Sequence, residues 1–185
     1  MENNIHSSNI VAPGVKMGKG CKIGYYCIIH EDVELGDNVT VGNYTILHKG
    51  VRIGSNSLVG SYCEIEINTK VGEQVIIQGR IRTGENCTIE DNVTIKYGTI
   101  LTSNATLKKN CFLGPNVITL GSTHKRVTVH GTVIGENTYI GAGSKIAGGV
   151  RVGPDIAVGA MSFVNKDIPG PGTYVGIPVR KLEKK

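Results

Sequence analysis

Apolar and polar positions along the chain keep a six-residue beat. From Val15 every sixth residue is small or branched, through Cys21, Cys27, Val33 and Val39 up to Cys111 and Val117; two positions later runs a row of larger apolar residues, from Met17 and Ile23 to Leu107 and Leu113. Residues two apart on a strand point to the same side, so each hexapeptide predicts a very short strand with two inward side chains and one outward residue between them. Glycine often follows the larger residue, as at Gly18, Gly36, Gly54 and Gly72, and the third position after it is usually Asn or Gly, as at Asn38, Gly50, Asn56, Asn68 and Asn86. Those two residue types best tolerate the positive φ of a tight turn, so strand alternates with corner.

Strands this short cannot bury an inner face alone and must stack as a coil. An 18-residue period gives three sides. Lys16, Glu34, Arg52, Lys70, Thr88, Thr106 and His124 fall 18 apart and predict one polar face; Ile28, Ile46, Ile100 and Ile118, interrupted by Glu64 and Arg82, predict a second; Leu58, Ile76 and Phe112 belong to a third. The expected fold is all-β, a single-stranded parallel β-helix of about nine coils ~4.8 Å apart, a column on the order of 40 Å. Residues 1–9 read as a flexible N-terminal arm, 10–168 as the β-helix and 169–185 as a C-terminal tail opened by Pro169-Gly170-Pro171-Gly172. Outward apolar rows predict an interface.

The beat slips once. Beyond residues 120–133 it returns shifted by three, with Ile134, Ile140, Ile146, Val152, Val158 and Val164 as the larger row, so a loop protrudes there. That loop carries His124 and His130, two of the five histidines. Imidazole is neutral and basic near pH 7, which suits a general base; His124 is the candidate and His130 the alternative. His30 and His48 share a corner on adjacent coils, with Glu66 continuing the row. Such a stack could hold a metal, but exposed corner residues read as solvated, and no metal is assigned. His6, in the arm, carries no signal.

All five cysteines, Cys21, Cys27, Cys63, Cys87 and Cys111, occupy the small inward position. They read as packing thiols in a reducing compartment, not as nucleophiles. With 26 glycines, two Phe and no Trp, an aromatic-rich core is excluded. No apolar run reaches the ~18 residues of a membrane helix and the polar start lacks a signal-peptide pattern, so a soluble cytoplasmic protein without a membrane span is expected. The net charge of +5 is scattered, which gives no support to nucleic-acid binding.

These tandem hexapeptides resemble the left-handed parallel β-helix acyltransferases over about residues 10–182. Val117-Ile118-Thr119-Leu120-Gly121-Ser122-Thr123-His124 is similar to the segment of maltose and galactoside O-acetyltransferases that ends in their catalytic histidine, and Ile134–Gly141 to their following coil, with Tyr139 where Trp is common. Ile118–Gly121 and Ile140–Ile146 also resemble serine O-acetyltransferases and capsule-sugar enzymes, a branch whose histidine falls within one residue of His130. Val158–Pro169, followed by Val175–Arg180, is similar to the family's terminal acetyl-CoA segment, with Ile177-Pro178-Val179 replacing the usual Asn-Pro-Ala.

The resemblance implies a left-handed column and a homotrimer with active sites between subunits. It also implies acetyl-CoA as co-substrate and direct transfer to a hydroxyl or amine of a sugar or nucleotide sugar. By position, Ala142 and Ala160 would line the pantetheine groove, while Asn165, Lys166 and Arg180 would approach the nucleotide. The Asn and Asp that grip sugar in the galactoside enzymes fall on Thr94 and Thr102, so the acceptor should differ. Alternatives are a serine O-acetyltransferase-like enzyme, a γ-class carbonic anhydrase-like metalloprotein, whose histidine positions fall on Ala142 and Ala147, and a non-catalytic scaffold.

Overall fold

A computed structural model describes residues 2–123, 125–129 and 131–183. None of these is helical. Twenty-six short strands, most of two residues, wind into a left-handed parallel β-helix of about nine coils. The first face runs from Asn4–Ile5 through Lys22–Ile23 to Gly172–Val175; the second begins at Ile10–Val11 and the third at Lys16–Met17. On the second face the strands stop after Glu64–Ile65 and resume at Ile118–Thr119. Single bridges, Glu64↔Arg82, Arg82↔Ile100 and Ile100↔Ile118, span the gap.

The ladder begins inside the stretch read as an arm. Asn4 pairs with Lys22, and the Asn3 side-chain carbonyl accepts from the Cys21 N–H at 2.9 Å. At the other end Thr173 pairs with Ala157, after which Arg180–Lys181 returns antiparallel on Tyr174–Val175 and buries Val179.

Both inward rows are buried from Cys21 and Ile23 to Val164. The small row does more than fill space. Thr45 and Ser57 donate to the carbonyls of Gly60 and Gly72 at 2.8 and 2.9 Å, and the Cys27 and Cys63 thiols lie 3.0 and 3.1 Å from those of Gly42 and Gln78. Each tie joins one coil to the next at a corner, where a carbonyl turned inward would otherwise have no partner. All five cysteines are free and buried, and burial raises the Cys63, Cys87 and Cys111 thiols from 9.0 to about 11.

The corners take positive φ at Asn38, Asn56, Asn68, Asn86 and their successors. Tyr26, Tyr44 and Tyr62 take it too, where Asn or Gly would be expected. Their rings stack 5.2 and 5.1 Å apart along one edge, and Arg80 lies 6.0 Å over Tyr62. Planar side chains repeated at rung spacing face one another, which offsets the backbone cost.

Register locates the slip. Neighbouring rungs are 18 residues apart at Thr94↔Phe112 and Tyr139↔Ala157, but 27 apart at Thr106↔Val133, Phe112↔Tyr139 and Ile118↔Lys145. Nine residues therefore leave the column and the coil closes without them. This corrects the polar row read from the sequence: Val133, not position 124, follows Thr106 on the third face.

Candidate active site

The extruded residues form a small hairpin at the corner between the second and third faces. Ser122 bridges Thr128 antiparallel, the Thr123 N–H donates to the Val127 carbonyl at 2.9 Å, and the Val129 N–H donates to that of Gly121 at 2.9 Å. Arg126 makes the turn at φ 59°. His124 and His130, the two candidate bases, lie outside the described residues, so the site is built from their neighbours.

Glycine lets the hairpin sit close to the column. A Cβ on Gly148 would stand 2.6 Å from the Leu120 carbonyl oxygen and 2.9 Å from the Val129 Cβ; one on Gly121 would stand 3.1 Å from the Thr102 methyl. Beyond the hairpin, the Gly131 N–H points to the Ser103 carbonyl at 3.5 Å. Leu120, Gly121, Val129 and Gly131 thus tether both arms of the hairpin to the corner.

Just below lies a pocket of about 360 Å³ bordered by Glu66, Arg82, Thr83, Thr102, Ser103 and Gly121. It occupies the stretch where the second-face ladder thins to single bridges. Two threonines sit there in inward positions that are otherwise apolar. Buried Thr83 accepts the Glu66 N–H at 2.9 Å, and buried Thr119 accepts the Thr102 N–H at 2.7 Å. These hydroxyls replace the ladder carbonyls that the two amides lack. The sequence signal was polar occupancy at 83 and 119 of a row that is apolar elsewhere, and the reading by period passed over it.

Arg82 crosses the pocket's lower rim, its Nε 3.1 Å from Glu64 and its Nη2 3.3 Å from Glu66. His48 lies 3.3 Å from Glu64, and its ring stacks on His30 at 5.1 Å and 8°, the stack expected from their spacing. Among the described residues, His48, Glu64 and Glu66 are the one group whose ligand atoms could gather around a metal. Arg82 already pairs with both carboxylates, so the fit to a metal ion is poor.

Above the hairpin the same corner continues. Ile146 pairs with Val164, which sets exposed Asn165 and Lys166 one rung above Ala147 and Gly148. Ala142 and Ala160 occupy adjacent rungs at the opposite edge of the second face: a Cβ on Gly114 would meet the Ala142 nitrogen at 2.7 Å, and one on Gly141 would meet the Ala160 nitrogen. Between the edges stand Ile118, Lys145 and Phe163. Arg180 lies in the returning tail beside Val175, while Val179 hangs on the Phe163 carbonyl at 2.9 Å. The five residues therefore lie along two edges of one face and in the returning tail. They border the strip of Ile118, Lys145 and Phe163, with Lys166 and Arg180 at its margins.

Residues 5–118 match the family model described as GMPPB C-terminal domain, and residues 131–166 the one described as bacterial transferase hexapeptide (six repeats). The interval between the two matches contains the hairpin. Among curated proteins nothing matches. Among solved structures, LpxA from Acinetobacter baumannii is 19% identical, with a TM-score of 0.86 over 96% of this chain and 72% of that one. UDP-N-acetylglucosamine acyltransferase from Campylobacter jejuni is 20% identical, with a TM-score of 0.67 over 96% and 73%. GDP-perosamine N-acetyl transferase from Caulobacter crescentus is 21% identical, but its TM-score is 0.44 and this chain spans 57% of its length. That last likeness carries no argument, and the first two are likenesses of the column. Matched over residues 5–118 and wound throughout as hexapeptide coils, the chain belongs to the GMPPB C-terminal domain family and continues at 131–166 as a bacterial transferase hexapeptide repeat.

Proposed function

We propose that the protein is an acetyl-CoA-dependent acetyltransferase that acts on a hydroxyl or amine of a sugar or nucleotide sugar. The observation that carries this reading is positional. The column's nine-residue extrusion, in the stretch of sequence that carries His124 and His130, stands between a polar pocket and the strip edged by Asn165 and Lys166. The column shared with LpxA from Acinetobacter baumannii and with UDP-N-acetylglucosamine acyltransferase from Campylobacter jejuni supports it at the level of fold.

In this reading the acceptor occupies the pocket beneath the hairpin and acetyl-CoA lies along the strip. His124, with His130 as the alternative, takes the proton of the acceptor as its oxygen or nitrogen attacks the thioester carbonyl. A tetrahedral intermediate forms, the carbon–sulfur bond breaks, and the imidazolium returns the proton to the departing thiolate. No acyl-enzyme is needed, which agrees with five thiols sealed in the core. Asn165, Lys166 and Arg180 contact the nucleotide end, where cations match phosphate. The outward row Ile28, Ile46, Ile100 and Ile118 runs up the same face to the strip, where Ile118 stands, and supports a homotrimer in which a neighbour covers that face.

Calorimetric titration with CoA tests the proposal. Micromolar binding that weakens at least ~10-fold in Lys166→Gln and Arg180→Gln is expected. Absence of binding in the assembled oligomer favours a non-catalytic scaffold. A γ-class carbonic anhydrase-like site is disfavoured because Ala142 and Ala147 offer no ligand atoms.

A further inference from the structure

Along the third face, far below the hairpin, charge alternates up the ladder until one step where it does not. Lys16 and Arg52 flank Glu34, with Nζ 3.0 Å and Nε 3.4 Å from its carboxylate. Lys49 likewise meets Glu31 at 3.3 Å and Asp32 at 3.5 Å. The next rung breaks the alternation: Lys70 pairs directly above Arg52, and above it stands Thr88. Side chains on neighbouring rungs are ~4.8 Å apart at the backbone, and like charges so placed repel. Among the described residues no carboxylate lies within ion-pair distance of Lys70.

The step lies in a groove of about 660 Å³, a volume within the range of small-molecule sites. Its lining carries four cations, Lys16, Lys49, Arg52 and Lys70, against two carboxylates, Asp32 and Glu34; Glu31, outside the lining but 3.3 Å from Lys49, offsets one more charge and leaves the excess at Lys70. The Asn86 amide and the Thr88 hydroxyl border the same groove and can donate. Glu34 is shared by Lys16 and Arg52 and reaches no further, so among the described residues Lys70 is the cation of the step without a carboxylate partner. The Glu34 carboxyl is held below the usual range by the Lys16 hydrogen bond and then by the Arg52 charge, so it stays with those two partners.

We propose that this groove binds a phosphate-bearing ligand centred between Arg52 and Lys70. A tetrahedral oxyanion presents enough acceptor oxygens to meet a guanidinium, an ammonium and neutral donors at once, and it removes the repulsion between the two rungs. The site shares no lining residue with the pocket beneath the hairpin, which lies across the neighbouring corner, where Glu85 of that pocket precedes Asn86 of the groove. The ligand is either a free phosphorylated molecule or a phosphate pendant on a long acceptor.

Inorganic pyrophosphate is the probe, titrated into the full chain at fixed ionic strength and read by calorimetry and by thermal midpoint. Wild type should bind it. Lys70→Gln and Arg52→Gln should bind at least ten-fold more weakly, and Lys22→Gln, exposed on the first face, should bind as wild type does. Without ligand, Lys70→Gln should melt no lower than wild type, because it removes a repulsion. Equal affinity in all four proteins, or a wild-type midpoint that responds to pyrophosphate no more than to sodium chloride, overturns the site. Circular dichroism establishes that the exposed substitutions leave the fold intact. With the site in hand, its source follows from kinetics: a raised KM in Lys70→Gln for a phosphorylated acceptor alone identifies a pendant phosphate, and an unchanged KM identifies a free ligand.

Discussion

Thr119 holds Thr102 by two contacts, accepting its backbone N–H at 2.7 Å and meeting its hydroxyl at 2.9 Å. Thr119 is buried just before the chain leaves the column, and Thr102 supports Gly121 at the hairpin's foot. Thr119→Val keeps the shape and removes the acceptor, leaving the Thr102 amide without a partner. We expect a loss of about 1–3 kcal/mol, a thermal midpoint lower by several degrees, and reduced turnover. Thr119→Ser should restore most of both. Melting curves and initial rates of the three proteins decide this, and a valine variant as stable as wild type contradicts it.

Register makes the hairpin separable from the column. Deleting residues 122–130 restores an 18-residue step between Thr106 and the present Val133. The shortened chain should fold, with an unchanged far-UV spectrum and a midpoint within a few degrees of wild type, yet show no acetyl transfer above background. Retained turnover would place the chemistry elsewhere on the column.

Gly148 gives a milder perturbation of the same place. In Gly148→Val the new side chain must displace the Leu120 carbonyl and Val129, which a Cβ alone would approach to 2.6 and 2.9 Å. The hairpin should shift while the coils persist, lowering turnover by at least ~10-fold with little change in melting. A variant with normal turnover contradicts the tether.

The periodic part of the structure was legible because every hexapeptide repeats one local problem, an inward small–large pair and a corner that needs positive φ. Ile134 and Ile140 even announced the shift by three, which the structure resolves as nine extruded residues. Departures occur where neighbouring rungs, not the local sequence, decide the outcome. Asn4 joins a ladder because Lys22 lies beside it; Tyr26, Tyr44 and Tyr62 tolerate corners because they stack on one another. The pocket beneath the hairpin left only the polar residues Thr83 and Thr119 as its trace in an apolar row. It depends on Thr83 and Thr119 substituting hydroxyls for ladder carbonyls, a three-dimensional exchange that a one-dimensional period does not record.

The buried thiols predict an alkaline limit to stability. Desolvation raises Cys63, Cys87 and Cys111 from 9.0 to about 11 in the folded chain. Between those values the unfolded chain loses thiol protons that the folded chain keeps, so the folded state binds more protons and stability falls as pH rises. Urea midpoints should be insensitive to these groups below about pH 9 and decline from there to about pH 11. Native protein at pH 8 should resist a thiol reagent until it unfolds, and rapid labelling of all five cysteines would contradict their burial.

The central claim, that an imidazole on the extruded hairpin is the base, is tested most directly by His124→Ala in steady-state acetyl transfer, with CoA affinity measured alongside. Turnover at least ~100-fold lower with CoA affinity nearly unchanged is the predicted result. Near-normal turnover in His124→Ala and also in His130→Ala would contradict the claim.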